Sequence, residues 1–243
     1  MKGATLVLAL LAGVATAAPE ASIRPVARAT QAVPVATEAA APAHFFASLR
    51  PTLRPRAIVQ QAMARRTARR KGQVCGDPDL QGEAVGAVPG RINGCGIEDA
   101  VRLRSVAGVS LSQPALMDCN TAKALKTWTE RSAKKRLRNV GGGLVQYRVA
   151  AHYACRTRNN QPGARISEHG KGRAIDISGF VMQNGTRLTV LNDWSSRHRR
   201  ALRGMHQDAC GSFGTVLGPN SDRIHRDHFH FDTARYRSGP YCR

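Results

Sequence analysis

Acidic residues are scarce in this chain. Sixteen Asp and Glu stand against 37 Lys and Arg over 243 residues, a formal net charge of +21. Such an imbalance commonly marks a nucleic-acid partner, yet the usual motifs for reading one are missing. There is no helix-turn-helix pattern, zinc finger or ribonucleoprotein motif. A phosphate loop is missing too, because Gly141-Gly142-Gly143 follows no expected strand and no Lys-Ser or Lys-Thr comes after it. Cys-x-x-Cys pairs are absent, which argues against a cysteine zinc site. Long apolar runs are also lacking. The longest, Ala4 to Val14, falls short of the roughly 20 residues a membrane helix needs.

That short run has another meaning. Met1-Lys2, the apolar stretch and Ala15-Thr16-Ala17 form the three parts of a secretory signal peptide over residues 1–17. The mature chain is therefore expected to be exported, and export argues further against nucleic acid. Residues 18–73 turn to Ala, Pro, Arg and Thr, too poor in large apolar groups to offset their ordering entropy, and read as a disordered basic linker. Within it, Ala57 to Arg70 can form a basic helix against an acidic surface. Anionic envelope polymers or lipids are the expected partners of this arm, and a merely solvated basic surface is the plainer reading. Residues 74–243 suffice for one domain with a true core.

All six cysteines, Cys75, Cys95, Cys119, Cys155, Cys210 and Cys242, fall in that domain. An even number in an exported chain suggests three disulfides, for which fifteen pairings are possible. Cys210 with Cys242 is favoured because it would fasten the C-terminus beside the strand of His230.

The expected elements alternate between sheet and helix. Val74 to Ile97 reads as an irregular lead-in and Ala100 to Ser105 as a strand. Ala115 to Leu137 reads as a helix with an apolar stripe, ended by the glycine triplet. Val145 to Tyr153 alternates as a strand. Asn184-Gly185 marks a hairpin, and Ser195 or Ser196 caps a helix to about Ala209. The fold class expected is α+β, with helices on a small, mostly antiparallel sheet.

Two stretches carry chemistry. Arg165 to Phe180 begins as a glycine-punctuated loop and ends as a strand, with His169 and Asp176 bracketing the turn. His225 to Asp232 reads as a strand with Phe229 and Phe231 facing the core, so that His228, His230 and Asp232 share the other face. A histidine nitrogen and a carboxylate are two of the usual three protein ligands of a catalytic zinc, and His228 or His230 can supply the third. Singly, each feature is commoner as an ordinary loop hydrogen bond or an exposed His-x-His. Their conjunction gives the pattern weight.

Ser167-x-His169, Gly172-x-Ala174-x-Asp176 and Asp227-x-x-His230 resemble the motifs of the zinc D-Ala-D-Ala carboxypeptidases and L-alanyl-D-glutamate endopeptidases, whose zinc core also occurs in hedgehog signalling domains. Cys155 to Asn160, Ser167-Glu168-His169, Ala174 to Ile177 and Asp227 to Asp232 resemble the extensin-like C-terminal domain of bacterial exported proteins, a likeness covering most of Cys95 to Cys242. The first resemblance implies a hedgehog/DD-peptidase-like fold and one zinc ion held by His169, Asp176 and His230. Asp227 stands where those peptidases carry a catalytic glutamate, one methylene shorter. It is either the general base or a carboxylate orienting a histidine, and His228 is the alternative base, as in a branch of murein endopeptidases. Arg156, with Arg158 as its rival, corresponds to an arginine that stabilises the oxyanion, and Ser167 to a serine that binds substrate or braces the turn. Peptidoglycan peptides in the periplasm or cell envelope of a bacterium are the implied substrate. The alternative is a non-catalytic basic envelope-binding module with a structural or vestigial zinc site. A structural role like that of plant extensins is disfavoured, since the domain lacks their hydroxyproline-rich repeats.

Overall fold

The computed structural model describes residues 55–243. The expected signal peptide and the linker up to residue 54 lie outside the described residues. From Arg56 the chain forms helix α1 (Arg56–Lys71), then strands β1 (Gln73–Val74), β2 (Asp77–Pro89), β3 (Gly96–Val106) and β4 (Val109–Asp118). Helix α2 (Cys119–Trp128) continues through a wider turn (Thr129–Ala133) into α3 (Lys134–Leu137). Strands β5 (Leu144–Ala151), β6 (Ala174–Met182) and β7 (Arg187–Thr189) follow, then helices α4 (Val190–Asp193) and α5 (Arg199–Ala209). The chain closes with β8 (Thr215–Leu217), β9 (Phe229–Asp232) and β10 (Tyr241–Cys242).

The fold is α+β, and its sheet is larger than expected. Ten strands join in the order β1-β2-β3-β4-β5-β6-β9-β8-β10, with β7 beside the far end of β6. All pairs are antiparallel except β4 with β5 and β8 with β10. No helix among the described residues is long and apolar enough to cross a membrane.

The middle of the sheet follows from the sequence of β6, Ala174-Ile175-Asp176-Ile177-Ser178-Gly179-Phe180-Val181-Met182, whose β-branched and aromatic residues suit a strand covered on both faces. Helices α2 and α5 cover one face. Trp128 lies 4.9 Å from Phe231, ring to ring, and its indole N–H donates to the Met205 carbonyl at 2.8 Å. Tyr147 donates to Thr129 Oγ1 at 2.8 Å, so the one buried phenol is satisfied. Phe213 stacks on Phe231, and Phe229 and Phe231 are wholly buried.

Four expectations need correction. The helix placed at Ala115 starts at Cys119, because Ala115 to Asp118 pairs with Ala100 to Leu103 of β3. Ala115 and Met117 go inward with period two, and Asp118 caps the helix by accepting from Thr121 N at 2.7 Å. The lead-in is not irregular: β2 is a 13-residue strand whose pairing shifts at Gly82 and Gly86. Gly82 sits so close to the Arg102 carbonyl that no Cβ fits, and Gly86 has a φ of +78°, so the glycines make bulges rather than ending the strand. Only Phe229 to Asp232 of the expected last strand is extended. The late helix also starts later, at Arg199, since Ser196 instead accepts from His198 N and donates to Asp193.

Three disulfides join Cys75 to Cys119, Cys95 to Cys155 and Cys210 to Cys242. Cys75–Cys119 fastens the lead-in to the first residue of α2. Cys95–Cys155 anchors the loop that carries Arg156 and Arg158. Cys210–Cys242 is the favoured pair, and it holds β10 beside β8, one strand away from β9 rather than next to it.

Helix α1 lies within the stretch read as linker. None of its residues is buried. Arg69 pairs with Asp79, and Gln81 donates to the Arg69 carbonyl at 2.8 Å, tying its last turn to β2.

Candidate metal centre

β6 and β9 are antiparallel neighbours with Asp176 directly opposite His230. Ile175, Ile177, Phe229 and Phe231 point into the core, so strand alternation turns Asp176, His230 and Asp232 to the other face. The third group arrives from a tight turn, Glu168–Lys171, just ahead of β6. Gly172 closes that turn in the left-handed region with φ of +67°, where a side chain would also collide with Ile97. The turn lays His169 against the strand pair.

His169, Asp176 and His230 are all buried, at 1%, 5% and 9% exposure. Each offers a ligand atom, and these atoms lie within 4.8 Å of one another. His169 Nε2 is 3.1 Å from His230 Nδ1 and 3.2 Å from Asp176 Oδ2, and His230 Nδ1 is 2.8 Å from Asp176 Oδ1. Their outer contacts assign the protons. His169 Nδ1 lies 2.8 Å from the His152 carbonyl, which only accepts, so Nδ1 carries the hydrogen. His230 Nε2 lies 3.1 Å from the Asp232 carboxylate and donates to it.

With those outer hydrogens assigned, the inward nitrogens, His169 Nε2 and His230 Nδ1, face one point together with the Asp176 carboxylate. Only a positive charge reconciles these three groups. Without a metal that charge is a proton. Burial pushes His230 down, but its hydrogen bonds to Asp176 and Asp232 outweigh this and hold it at about 9. Burial likewise pushes the Asp176 carboxyl up, and bonds from His169 and His230 outweigh it and hold the group far below the usual carboxylate range. Two imidazoles and one carboxylate, the histidines oriented from behind by a carbonyl and a carboxylate, also fit a divalent cation such as zinc.

The other expected residues surround the three in one cleft of ≈ 530 Å³, which Arg156, Arg158, Ser167 and His228 help to line. His228 Nε2 is 3.7 Å from Asp176 Oδ2. Its Nδ1 is 2.8 Å from Asp227 Oδ1, so Asp227, with a side chain 65% exposed, holds His228 rather than facing the three candidate ligands. Ser167 is buried, its N–H donating to the Arg156 carbonyl at 3.0 Å and its carbonyl accepting from Gly170, which braces the turn.

Sequence reasoning assigned no role to Asp222 and His225. His225 Nδ1 donates to Asp222 at 2.8 Å, and the His225 ring packs 5.6 Å from that of His230. The spacing of three residues was the available signal, hidden by reading His225 onto a strand. Asp232, noted only for its face, orients His230. Tyr236 and Tyr241 also reach the cleft from the C-terminal segment.

A family model described as Extensin-like protein C-terminus matches residues 81–243. This chain belongs to that family. The match holds every residue of the cleft, while α1 and β1 precede it. No curated protein and no solved structure matches the chain. The extensin-like domain thus contains the whole candidate centre, from the turn of His169 to β9.

Proposed function

We propose that this extensin-like domain is an exported zinc metallopeptidase acting on peptide bonds in peptidoglycan stems or cross-links, in the periplasm or cell envelope of a bacterium. The observation that carries the reading is the convergence of His169 Nε2, Asp176 and His230 Nδ1 at the floor of an open cleft. The motif resemblance to zinc carboxypeptidases and endopeptidases, with the hedgehog/DD-peptidase-like fold it implies, supports it. Three disulfides support an oxidising compartment.

His169, Asp176 and His230 would hold the ion. A zinc held there would supply Lewis acidity, which lowers the pKa of a bound water to about 7 and polarises a carbonyl. His228, oriented by Asp227 and with Nε2 turned toward Asp176, is the base that takes the proton from the attacking water and delivers it to the leaving amine. Arg156 supplies positive charge for the developing oxyanion, and Arg158 helps to hold the substrate. Ser167 keeps the turn in place behind His169.

The competing reading, a non-catalytic envelope-binding module, draws on one observation: the Asp227 carboxylate is short, exposed and committed to His228. Metal analysis and muropeptide digestion separate the two. The purified protein should hold about one zinc, lost in His169→Ala and His230→Ala, and should release new amino groups from muropeptides. His228→Ala should keep zinc and lose turnover by roughly 10²- to 10⁴-fold. Zinc without cleavage of any muropeptide would reject the hydrolase in favour of the binding module.

A further inference from the structure

The metal cleft shares one lining residue, Tyr236, with a neighbouring space. That space is a second, larger cleft of ≈ 890 Å³, and the Tyr236 hydroxyl lies 3.0 Å from Thr215 Oγ1. The second cleft is tied to the same strands as the centre. Gly214 N–H donates to the Asp232 carbonyl at 2.8 Å, Thr233 N–H to the Arg173 carbonyl at 3.0 Å, and Ala234 N–H to Asp232 Oδ1 at 2.9 Å. A ligand lying over Tyr236 would reach both spaces, whose relation is set by β6 and β9.

Charge distinguishes the second cleft. Lys123, Arg173 and Arg235 line it, against one carboxylate, Asp118. Asp118 already caps α2, and Arg173 Nε approaches it only to 4.0 Å. Among the described residues Lys123 and Arg235 make no ion pair. Three cations with so little compensation, in a trough adjoining the candidate reaction centre, fit a ligand carrying several anionic groups along its length. In water-filled surroundings such cations set selectivity and register more than raw affinity.

We propose that this second cleft is a binding site for the carboxylate-bearing part of a peptide substrate, beyond the bond placed at His169, Asp176 and His230. The assignment of the ligand as substrate rests on the hydrolase reading, whereas the binding itself does not.

The test uses the full zinc-loaded chain and a fluorescently labelled disaccharide-tetrapeptide muropeptide, in its acid form and with its carboxylates amidated. Anisotropy within the mixing time of a stopped flow reads binding before turnover. The double variant Lys123→Glu/Arg235→Glu is expected to weaken the acid form by roughly tenfold and the amide form by less than about twofold. Arg65→Glu/Arg66→Glu, an equal charge change on exposed α1, is expected to alter either by less than about twofold. Equal losses in the two double variants, or equal losses for the two ligands, would overturn the site in favour of general electrostatics. So would acid-form binding unchanged by Lys123→Glu/Arg235→Glu. If the ligand is also cleaved, KM should rise with kcat nearly unchanged. Selective binding with no cleavage would sink the hydrolase and keep the site, and cleavage with no such selectivity would do the reverse.

Discussion

Helix α1 and the β6–β9 pair are opposites. α1 carries six Lys and Arg, no acid, and not one buried residue. In β9, all four residues are buried, two of them aromatic core and two of them polar groups of the candidate centre. Helix α1 is held to β2 through its last turn, where Arg69 pairs with Asp79 and Gln81 donates to the Arg69 carbonyl. Burial gives β9 positional precision, because Phe229 and Phe231 fit one register only and a one-residue slip would turn His230 into the core. The centre is placed by apolar packing on the reverse of the strands that carry it.

The sharpest way to break this contrast is Phe231→Ala. Removing a wholly buried ring that contacts both Trp128 and Phe213 should cost about 3–5 kcal/mol in denaturant unfolding. It should also lower zinc content in the folded fraction. An unfolding free energy within about 1 kcal/mol of the native protein, with zinc retained, would show that the centre is placed by something other than this packing.

The next effect is electrostatic. In the metal-free protein His230 is raised to about 9, so its contribution is complete below its ordinary value and is lost as pH rises through about 9. Asp176 is depressed, so its contribution is present above the ordinary carboxylate range and is lost only in strong acid. Thermal unfolding of the zinc-free protein should therefore show declining stability from about pH 6.5 to 9, on the order of 2 kcal/mol. Zinc competes with that proton, so its affinity should climb over the same range. A zinc-free Tm that is flat or rises across that range would mean that His230 is not the charged partner of Asp176.

The smallest effect belongs to α1. Arg65→Ala/Arg66→Ala should change unfolding free energy by less than about 0.5 kcal/mol, since neither side chain is buried and neither is ion-paired among the described residues. A loss several times larger would show that the helix is packed, and the contrast with β9 would fail.

Periodicity exposed the parts of the site that lie on strands. Ile175, Asp176 and Ile177, like Phe229, His230 and Phe231, announce one apolar and one polar face through period two alone. Asn184-Gly185 announced the β6–β7 hairpin in the same way, and the placing of the C-terminal cysteine suggested its bridge. The misreadings share one cause. Pro114 and the apolar spacing after it looked helical, but pairing with β3 keeps Ala115 to Asp118 extended. Glycines in β2 looked like breaks, but a long partner strand absorbs them as bulges. Local signals were correct about what each segment tolerates and silent about what its neighbour demands.

Chain order and residue type alone determined the basic balance, the strand faces and the set of side chains able to ligate a cation. Only the tertiary structure decided that His230 rather than His228 lies opposite Asp176, that Asp227 turns to His228, and that Asp222 and His225 join the cleft. Side-chain alternation is a property of the backbone and can be read from one segment. The meeting of groups tens of residues apart depends on strand register and turn closure, which the packed core selects.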